Sequence, residues 1–417
     1  MQADLTTRTD CRLCRSENLE EVISLASTPP ANELLAADQL DIRQDRFPLR
    51  LYFCHDCHHL QLLDVVSPER LFRHYVYVSG TSPVFRQHFR DYAASMVSQF
   101  ALDSESFVLD IGSNDGTLLA AFKELGVSHL LGVDPASEIA AAANAAGIPT
   151  IAEFFTPELA DEIRNEHGAA ALVVANNVFA HVDDLASIAD GVVRVLDDRG
   201  VFTIEVSYLK DVLEKTLFDT IYHEHLDYHA VGPLQQFLEA RGLRVIDAEE
   251  IDTHGGSLRL TAMKNGQDGD VKPTVAAMIE REQQLGLYNV RTYVQFQEKI
   301  DRLGAELVEL LSRAKTEGKS VAAFGLPAKA TTLMHQFNID GRFIDYVVDD
   351  NPLKQGMYSP GFKIPIVPSD HLRENPPDYV IVLAWNFADS IVGKLDWFLQ
   401  QGGRIIVPLP TLRIVGE

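Results

Sequence analysis

The chain has 417 residues, of which 46% are hydrophobic, and it carries a formal net charge of −24 at pH 7. A chain of this length exceeds one ordinary core, so we expect two or three globular domains. The negative charge argues against nucleic acid or an anionic membrane as a partner, although a local basic pocket for an anionic substrate remains allowed. The N-terminus lacks the apolar core of a secretion signal, and no apolar run approaches the ~20 residues of a membrane helix, so we expect a cytoplasmic protein.

All four cysteines stand in two Cys-x-x-Cys pairs, formed by Cys11, Cys14, Cys54 and Cys57. Each pair presents two thiolates from one tight turn, so the two pairs complete a closed, structural zinc site with no open position for catalysis. Disulfides are the alternative, which a reducing cytoplasm disfavours. His55 and His58 flank the second pair and are alternative zinc ligands. We predict a zinc-stapled module of residues 1–75, whose long spacer between the pairs contains Pro29-Pro30-Ala31-Asn32.

Strands and helices alternate along the central part of the chain. Residues 75–83 predict a loop over a site, and strand-like apolar runs then alternate with helical segments from 107 to 206. The first of these helices is predicted from Ser113 to Leu125. This alternation predicts a doubly wound parallel sheet, whose ligands bind beyond the carboxyl ends of its strands. The runs 243–251 and 257–263 predict an antiparallel strand pair at the end of the sheet. We assign residues 76–265 to this central domain.

A second α/β alternation follows a long helical stretch. The polar-apolar pattern from 275 to 316 predicts helix with a solvated face, and strands then alternate with helices from 320 to 407. We assign residues 266–417 to a C-terminal α/β domain with Rossmann-like architecture. No repeat of roughly 20–50 residues is visible, so the two α/β domains share only their architecture. The predicted fold class is α/β, with a small zinc-binding module at the N-terminus.

The strand-like run before Gly112 ends in a turn that combines glycines with polar residues, and the next strand-like run ends at Asp134. Such a turn brings bare backbone against a cofactor, and a carboxylate at the end of the next strand accepts hydrogen bonds from a ribose. The pattern lacks the three glycines of a dinucleotide site and resembles the first motif of class I S-adenosylmethionine methyltransferases. It implies an S-adenosylmethionine site formed by Asp110, Gly112, Asn114, Gly116 and Asp134. An ordinary turn is the alternative for the glycines considered alone.

Further cofactor contacts are expected after the third and fourth strands. Glu153 and Phe154 follow the third strand, where a carboxylate meets the adenine amino group and an aromatic ring packs on the base. Glu153 is nearly as well explained as a surface residue. Asn176 and Asn177 end the fourth strand, at the sheet edge where the sulfonium should lie, and we expect Asn177 to contact the cofactor.

The densest group of titratable residues lies at 219–229, directly after the fifth strand. Histidine has an unperturbed pKa of about 6.5 and tyrosine one of about 10, so the two can divide proton removal and oxyanion stabilisation near neutral pH. A solvated loop or a metal site is the alternative, but histidines without a common helical spacing do not easily converge on one ion. His181 follows the fourth strand at the same end of the sheet. The titratable residues of this group include Tyr222, His223, Glu224, His225 and His229, and the three histidines are those that a metal site would need to bring together.

Two later glycine-containing turns carry basic residues. The segment with His254, Gly256, Ser257 and Arg259 combines close backbone approach with a guanidinium that can pair with a diphosphate, and a β-turn between strands is the alternative. The segment Gly325-Leu-Pro-Ala-Lys329 follows a buried strand and opens a helix, so its amides and the Lys329 ammonium can bind a phosphate. Its single glycine argues against a dinucleotide site.

Together these motifs resemble the deoxysugar C-methyltransferases of antibiotic biosynthesis, which include the tetronitrose-type nucleotide-sugar 3-C-methyltransferases. The resemblance spans nearly the full chain. It is carried by the paired cysteines, the Asp110–Gly116 turn, and the segments Tyr222-His-Glu-His225, His254-Gly-Gly-Ser-Leu-Arg259 and Gly325–Lys329. The combination in this order is far more specific than any one motif.

The resemblance implies methylation at C3 of a dTDP-linked 4-keto deoxysugar, which carries either a 3-amino or a 3-hydroxyl group. A base removes the acidic proton next to the ketone, and the enolate carbon attacks the sulfonium methyl. In this chain the resemblance implies His225 as the base and Tyr222 as the hydrogen-bond donor to the ketone oxygen. It implies that Glu224 orients a substrate amino or hydroxyl group and that His181 is a second donor.

The same resemblance implies an active-site tyrosine at Tyr75 or Tyr77, and a C-terminal domain that helps to hold the nucleotide, usually thymidine. A monomer is compatible with the sequence, which leaves the oligomeric state open. Methylation of a sugar oxygen or nitrogen is one alternative function. A nucleotide-sugar ketoreductase with a nicotinamide site in the C-terminal domain is another, and a zinc-dependent adaptor without catalysis is the third.

Overall fold

The computed structural model describes residues 4–72, 83–253 and 255–416. Its strands are β1 (Leu5–Thr7), β2 (Leu19–Thr28), β3 (Phe47–Cys54), β4 (Leu60–Leu62), β5 (Asp64–Val66), β6 (Phe107–Ile111), β7 (His129–Val133), β8 (Thr150–Ile151), β9 (Ala170–Asn176), β10 (Leu196–Ser207), β11 (Asp227–Tyr228), β12 (Leu243–Ile251), β13 (Ser257–Lys264), β14 (Val321–Phe324), β15 (Val347–Val348), β16 (Ile366–Val367), β17 (Tyr379–Val382), β18 (Arg404–Val407) and β19 (Arg413–Val415).

The helices of the same ranges are α1 (Pro68–Phe72), α2 (Pro83–Phe100), α3 (Thr117–Glu124), α4 (Ser137–Ala145), α5 (Pro157–His167), α6 (Leu185–Val195), α7 (Leu209–Glu214), α8 (Val231–Glu239), α9 (Pro273–Gln284), α10 (Val290–Thr316), α11 (Ala328–Gln336), α12 (Asp370–Glu374), α13 (Ala388–Lys394) and α14 (Asp396–Gln400). None of these helices combines the length and apolar character needed to cross a membrane.

Seven strands form the sheet of the central domain in the order β8-β7-β6-β9-β10-β13-β12. The strands from β8 to β10 are parallel, whereas β13 runs antiparallel to both β10 and β12. The predicted doubly wound sheet and its terminal antiparallel pair are therefore confirmed. The strand order reverses between β6 and β9, so the turns after these two strands border a crevice at the carboxyl edge, where such sheets bind ligands.

The helix after β6 begins later than the sequence pattern indicates. The prediction placed its start at Ser113, but α3 begins at Thr117. Asn114 and Gly116 adopt φ angles of +50° and +74°, which a right-handed helix does not allow. The intervening residues therefore form a turn, not a helix, at the carboxyl edge of the sheet.

The C-terminal domain is a second, smaller α/β unit. Its sheet has the order β16-β15-β14-β17-β18-β19, parallel except for β19. The order reverses between β14 and β17, so this sheet also has a crevice at its carboxyl edge. The long helical stretch before it is divided into α9 and α10, because Gly286 takes a φ of +75° in the turn between them.

The N-terminal module lies against both α/β domains. Its antiparallel strands β2, β3 and β4 are extended at the β4 edge by β11, which belongs to the central domain by chain order. Apolar side chains of this sheet share a core with α10 and the C-terminal domain, whereas the cysteine turns share a core with the central domain. The module therefore connects the two larger domains.

Candidate active site

The junction loop (residues 219–229) carries the predicted titratable cluster and contacts other parts of the chain on both sides. At its C-terminal end, β11 pairs with β4 of the N-terminal sheet. From the C-terminal domain, Thr332 Oγ1 donates a hydrogen bond to the Ile221 carbonyl over 2.8 Å. Trp385 Nε1 donates to the Asp219 carboxylate over 2.6 Å. All three modules therefore meet at this loop.

Tyr222 and His225 form a hydrogen-bonded pair within the junction loop. The Tyr222 hydroxyl lies 2.9 Å from His225 Nε2, and His225 Nδ1 lies 2.8 Å from the Thr220 carbonyl oxygen. A carbonyl oxygen only accepts, so Nδ1 carries the proton of the neutral ring and Nε2 accepts from Tyr222. The His181 ring lies edge-on to His225, with centroids 4.9 Å apart. Nε2 is therefore unprotonated, as a general base must be, and it is hydrogen-bonded to the Tyr222 hydroxyl.

Glu224 is a buried carboxyl group in the same loop, with 4% of its surface exposed. Asn32 Nδ2 donates to Glu224 Oε1 over 2.8 Å. Burial raises the pKa of Glu224 to about 7, although the Asn32 hydrogen bond opposes this shift. His181 Nδ1 donates to the Glu224 backbone carbonyl over 2.7 Å, and burial lowers the pKa of His181. The structure therefore brings His181, Tyr222, Glu224 and His225 together, as their sequence positions suggested.

Asn32 was not among the predicted site residues, although it contacts Glu224. It belongs to the N-terminal module and lies in the spacer between the two cysteine pairs. Thr331 of α11 donates from its hydroxyl to the neighbouring Ala31 carbonyl over 3.0 Å, which holds this segment beside the C-terminal domain. The signal that could have identified Asn32 is the Pro-Pro-Ala-Asn insertion in an otherwise compact zinc module.

The two other histidines of the junction loop have separate partners. His223 Nε2 donates to the Phe47 carbonyl over 3.2 Å, and His229 Nε2 donates to the Phe179 carbonyl over 2.9 Å. Burial lowers the pKa of both rings to about 4, so both are neutral near pH 7. Within the described ranges these rings do not gather with His225 into a metal-sized group. A metal site in this loop is therefore not supported.

The turn after β6 forms a cradle of bare backbone. Gly112 and Gly116 have φ angles of +73° and +74°, and a Cβ atom on Gly112 would lie only 2.4 Å from Val178 Cγ2. At the end of β7, Asp134 accepts a hydrogen bond from the Asn114 N–H over 2.9 Å. The turn and the carboxylate therefore lie together at the crevice of the sheet. A glycine turn with a carboxylate at the end of the next strand fits the methionine and ribose parts of S-adenosylmethionine.

The remaining predicted cofactor residues lie along the same edge. Asp110 is buried at the end of β6, where burial and the neighbouring Asp134 raise its pKa well above the usual range. Glu153 and Phe154 follow β8, and 66% of Phe154 is exposed. Asn177 directly follows β9 with a φ of +58°. The exposed ring and carboxylate suit the expected adenine contacts, which stay predictions.

The four cysteine sulfur atoms converge, all within 4.8 Å of one another. The Sγ atoms of Cys11 and Cys57 are 3.6 Å apart, and those of Cys14 and Cys54 are 3.5 Å apart. Tetrahedral zinc with Zn–S bonds of ~2.3 Å brings sulfurs to ~3.8 Å, whereas a disulfide requires ~2.0 Å. His55 Nε2 instead lies 2.9 Å from Glu20. The residues fit a zinc site with four cysteine ligands, not disulfides or a histidine-substituted site.

The turn after β14 resembles the turn after β6 in one respect. Gly325 has a φ of +81°, and Asp349, directly after β15, accepts a hydrogen bond from the Leu326 N–H over 2.8 Å. The same relation joins Asp134 to the turn after β6. Asp349 was not predicted as a site residue, although it ends a strand-like run just as Asp134 does. The C-terminal sheet therefore has a second turn with this arrangement at its crevice.

Lys329 lies in the first turn of α11, beside the start of the junction loop. Its ammonium is 4.3 Å from the Trp385 ring centroid and 3.9 Å from the Asp219 carboxylate. It also hydrogen-bonds to Asn386. Burial lowers the pKa of Lys329, and the Asp219 carboxylate opposes this effect. The structure thus brings Lys329 to the loop that carries His225, a proximity that sequence spacing did not show.

The segment around Arg259 is more enclosed than its sequence suggested. Arg259 forms a two-pronged ion pair with Glu205, through Nε at 3.0 Å and Nη2 at 2.7 Å. Ser257 is fully buried in β13, and Gly256 has a φ of +133°. The diphosphate contact predicted for Arg259 would require this ion pair to be given up. Three other predicted residues lie outside the described ranges, namely Tyr75, Tyr77 and His254.

Three family models match successive parts of the chain. Residues 11–72 match a putative zinc binding domain, and residues 85–248 match a methyltransferase domain. Residues 252–410 match a C-methyltransferase C-terminal domain. The order of the three matches follows the order of the three modules described above.

Solved structures show a weaker similarity. Magnesium protoporphyrin IX methyltransferase from Synechocystis PCC 6803, solved with bound SAM, is 14% identical, with 43% of this chain and 79% of that chain covered and a TM-score of 0.33. An S-adenosylmethionine-dependent methyltransferase from Clostridium acetobutylicum ATCC 824 is 13% identical, with 48% and 96% covered and a TM-score of 0.36. Similarities at this level carry no functional argument.

The chain is an S-adenosylmethionine-dependent methyltransferase with a structural zinc site. This class is defined by the Rossmann-like central domain, by its glycine turn with Asp134, and by the matches to the methyltransferase and zinc-binding family models. A relative that matches almost the whole chain shows to which family the chain belongs. The chain is 37% identical to C-methyltransferase NovU from Streptomyces niveus over 406 residues, which cover 97% of this chain and 96% of NovU. The chain belongs to this family of C-methyltransferases.

Proposed function

We propose that the protein is a cytoplasmic enzyme that methylates C3 of a dTDP-linked 4-keto deoxysugar bearing a 3-amino or 3-hydroxyl group. The observation that carries this proposal is the hydrogen-bonded Tyr222–His225 pair beside the buried Glu224. A carbon next to a ketone becomes a nucleophile only when a base within hydrogen-bond reach removes its proton. Bound S-adenosylmethionine supplies the electrophilic methyl group.

His225 Nε2 is the proposed base. With the sugar bound, the Tyr222 hydroxyl turns its hydrogen bond from Nε2 to the ketone oxygen, which frees the Nε2 lone pair. Nε2 then takes the C3 proton, the electrons of the C–H bond form the enolate, and Tyr222 stabilises the negative charge that develops on the oxygen. The Nδ1 hydrogen bond to the Thr220 carbonyl, 2.8 Å long, holds the ring in one tautomer before transfer and supports the imidazolium afterwards. In this proposal Nε2 of His225 removes the proton, whereas Nδ1 holds the ring in position.

Glu224 and His181 are proposed to orient the sugar. Because burial brings the pKa of Glu224 to about 7, its carboxyl group both accepts and donates hydrogen bonds near neutral pH. It therefore suits a 3-amino or a 3-hydroxyl group of the acceptor. His181 donates through Nδ1 to the Glu224 carbonyl, so Nε2 of the neutral ring is an acceptor. We propose that Nε2 faces the sugar and accepts a hydrogen bond there, in place of the donor role expected from the sequence.

The C-terminal domain is proposed to bind the nucleotide. A dianionic diphosphate needs local positive charge in a protein of net charge −24. Lys329 supplies such a charge at the start of α11, close to the turn that Gly325 and Asp349 form. The junction loop contacts both the central domain and the C-terminal domain. A nucleotide bound at the C-terminal turn could therefore extend its sugar to Tyr222 and His225, on the side of the cofactor.

The replacement His225→Ala tests the base directly. We expect both ligands to bind and turnover to fall by about 10²–10⁴-fold, the usual contribution of general-base catalysis. Exchange of the C3 proton with deuterated solvent, measured without S-adenosylmethionine, should fall in parallel. Tyr222→Phe should also slow both reactions, whereas the matched control Tyr346→Phe, whose hydroxyl donates to the Asn375 carbonyl within the C-terminal domain, should change them little.

A loss of only a few-fold in His225→Ala would contradict the assignment and transfer the role of base to His181 or another group. Proton exchange at the wild-type rate with no methylation would show instead that His225 positions a ligand. The acceptor is tested by incubating the wild-type protein with S-adenosylmethionine and a panel of dTDP-4-keto sugars, followed by NMR location of the new methyl group. A methyl group on oxygen or nitrogen, or reduction of the ketone with NADPH, would contradict the proposed reaction.

A further inference from the structure

Asp227 is a fully buried carboxylate that links the junction loop to the two turns that carry the cysteines. Its Oδ1 lies 2.7 Å from His59 Nε2, and its Oδ2 lies 3.8 Å from Arg12 Nε. Arg12 directly follows Cys11 in the sequence. The His59 backbone carbonyl accepts a hydrogen bond from the Cys54 N–H over 2.9 Å. Both partners of Asp227 therefore belong to the cysteine turns themselves.

The strand that carries Asp227 is too short to determine its own register. β11 has two residues, which pair as Asp227 with Gln61 and Tyr228 with Leu60. Registers of longer strands are specified by an alternating hydrophobic pattern, which two residues cannot supply. A buried charge does specify one register, because a slip would leave the Asp227 carboxylate buried without its partners.

The register of β11 determines where His225 lies, because only Leu226 separates His225 from Asp227. Leu226 itself is held on both sides: its N–H donates to the Ala180 carbonyl over 2.6 Å, and its carbonyl accepts from the Leu62 N–H over 2.8 Å. A shift of one residue moves a strand by ~3.3 Å. A displacement of ~1 Å at a reacting group is enough to slow a reaction by ~10²-fold.

We propose that Asp227 is a positioning residue, which uses its buried contacts with His59 and Arg12 to place the Tyr222–His225 pair relative to the zinc module. It touches neither substrate nor cofactor and acts through the register of β11. The catalytic part of this inference rests on the proposed function, because it requires His225 to take the proton. The cysteine turns then contribute to the reaction indirectly, because they hold His59 and Arg12 in place as the partners of Asp227.

The replacement Asp227→Asn tests this inference in the full-length, zinc-loaded protein. It keeps the size of the side chain and removes its charge. We expect amide hydrogen exchange across residues 219–229 to accelerate by roughly tenfold or more. We expect kcat and the rate of C3 proton exchange to fall by about 10²-fold, with KM for both substrates changed by less than about threefold.

The matched control is Asp247→Asn. Asp247 is also buried, at 2% exposure, and binds Lys272 and Thr274 at the α9 end of the central domain. Its replacement should lower stability without changing amide exchange in the junction loop or kcat. If Asp227→Asn does not fold, His59→Asn removes the Nε2 contact from the other side and is measured in the same way, with zinc content determined for each variant.

Unchanged amide exchange in the junction loop would overturn the inference. Faster exchange with an unchanged kcat would also overturn it, because the contact would then hold the loop without serving the reaction. A wild-type protein that methylates none of the sugars, or a His225→Ala variant with full turnover, contradicts the proposed function instead. The amide-exchange comparison then still decides whether Asp227 anchors the loop.

Discussion

At the scale of single residues, the environment of Glu224 connects burial to protonation. Its carboxyl group is 4% exposed and receives a hydrogen bond from Asn32. One neutral donor replaces only part of the hydration that an ionised carboxylate loses on burial, so the protonated form is favoured. Burial accordingly raises the pKa of Glu224 from 4.5 to about 7.

This pKa predicts a pH dependence of stability. Below pH 4.5 the group is protonated in both the folded and the unfolded chain. Between pH 4.5 and about 7 only the unfolded chain ionises, so the free energy of unfolding should fall by up to ~3 kcal/mol and then level off. Glu224→Gln should lack this decrease, which urea unfolding at a series of pH values measures. The exposed Glu298→Gln control should follow the wild type, and a Glu224→Gln profile that also matches the wild type would refute the prediction.

At the scale of elements, the start of α8 depends on a residue from another helix. Its N-cap, Ala230, has no side chain able to cap the helix. Glu282 of α9 accepts hydrogen bonds from the N–H groups of Val231 and Gly232, over 2.6 and 3.1 Å. The Tyr208 hydroxyl also donates to Glu282, over 2.8 Å. A carboxylate is favoured there because helix N-termini carry partial positive charge.

The replacement Glu282→Gln should therefore destabilise the central domain. An amide has one oxygen where the carboxylate has two, so at least one buried donor loses its acceptor, which costs roughly 1–3 kcal/mol. Urea unfolding should show a lower midpoint with an unchanged slope. Glu280→Gln, which changes an exposed residue of the same helix, is the control and should have little effect. Equal stability of the two variants would show that the cap is not needed.

At the scale of the whole molecule, the zinc module connects the other two domains. Its sheet shares a core with the C-terminal domain, and Cys11, Cys54 and Cys57 share a core with the central domain. The same module pairs with the junction loop through β4 and contributes Asn32 to the candidate site. Loss of zinc should therefore disturb the contacts between domains as well as the module itself.

We predict that Cys11→Ser loses zinc and unfolds at a lower denaturant concentration, because three thiolates no longer close the tetrahedral site. Zinc content and urea unfolding measure the two effects. His55→Gln is the control, since its ring lies outside the cysteine cluster and should leave zinc bound. A well-folded, zinc-free Cys11→Ser protein that had lost only turnover would assign zinc to the chemistry instead.

The features that the sequence revealed are those whose residues act within one short segment. The two cysteine pairs, the glycine turn with Asp134, the alternating α/β pattern and the Tyr222–His225 segment could each be recognised locally. The start of α3 was placed too early at Ser113, because the helical pattern does not show that Asn114 and Gly116 take positive φ angles. Periodicity reports which face of an element is apolar but not the backbone angles of a turn.

The sequence by itself determined the α/β class, the cysteine cluster and the family, because each depends on spacing along the chain, and it predicts the cofactor turn. Tertiary structure decided the partners of individual side chains. Asn32 and Glu224 are 192 positions apart, and Asp227 and His59 are 168 apart. Arg259 was expected to pair with a diphosphate, but the sheet places Glu205 beside it. Residue types show what a group can bind, whereas only the packing of the domains decides what it meets.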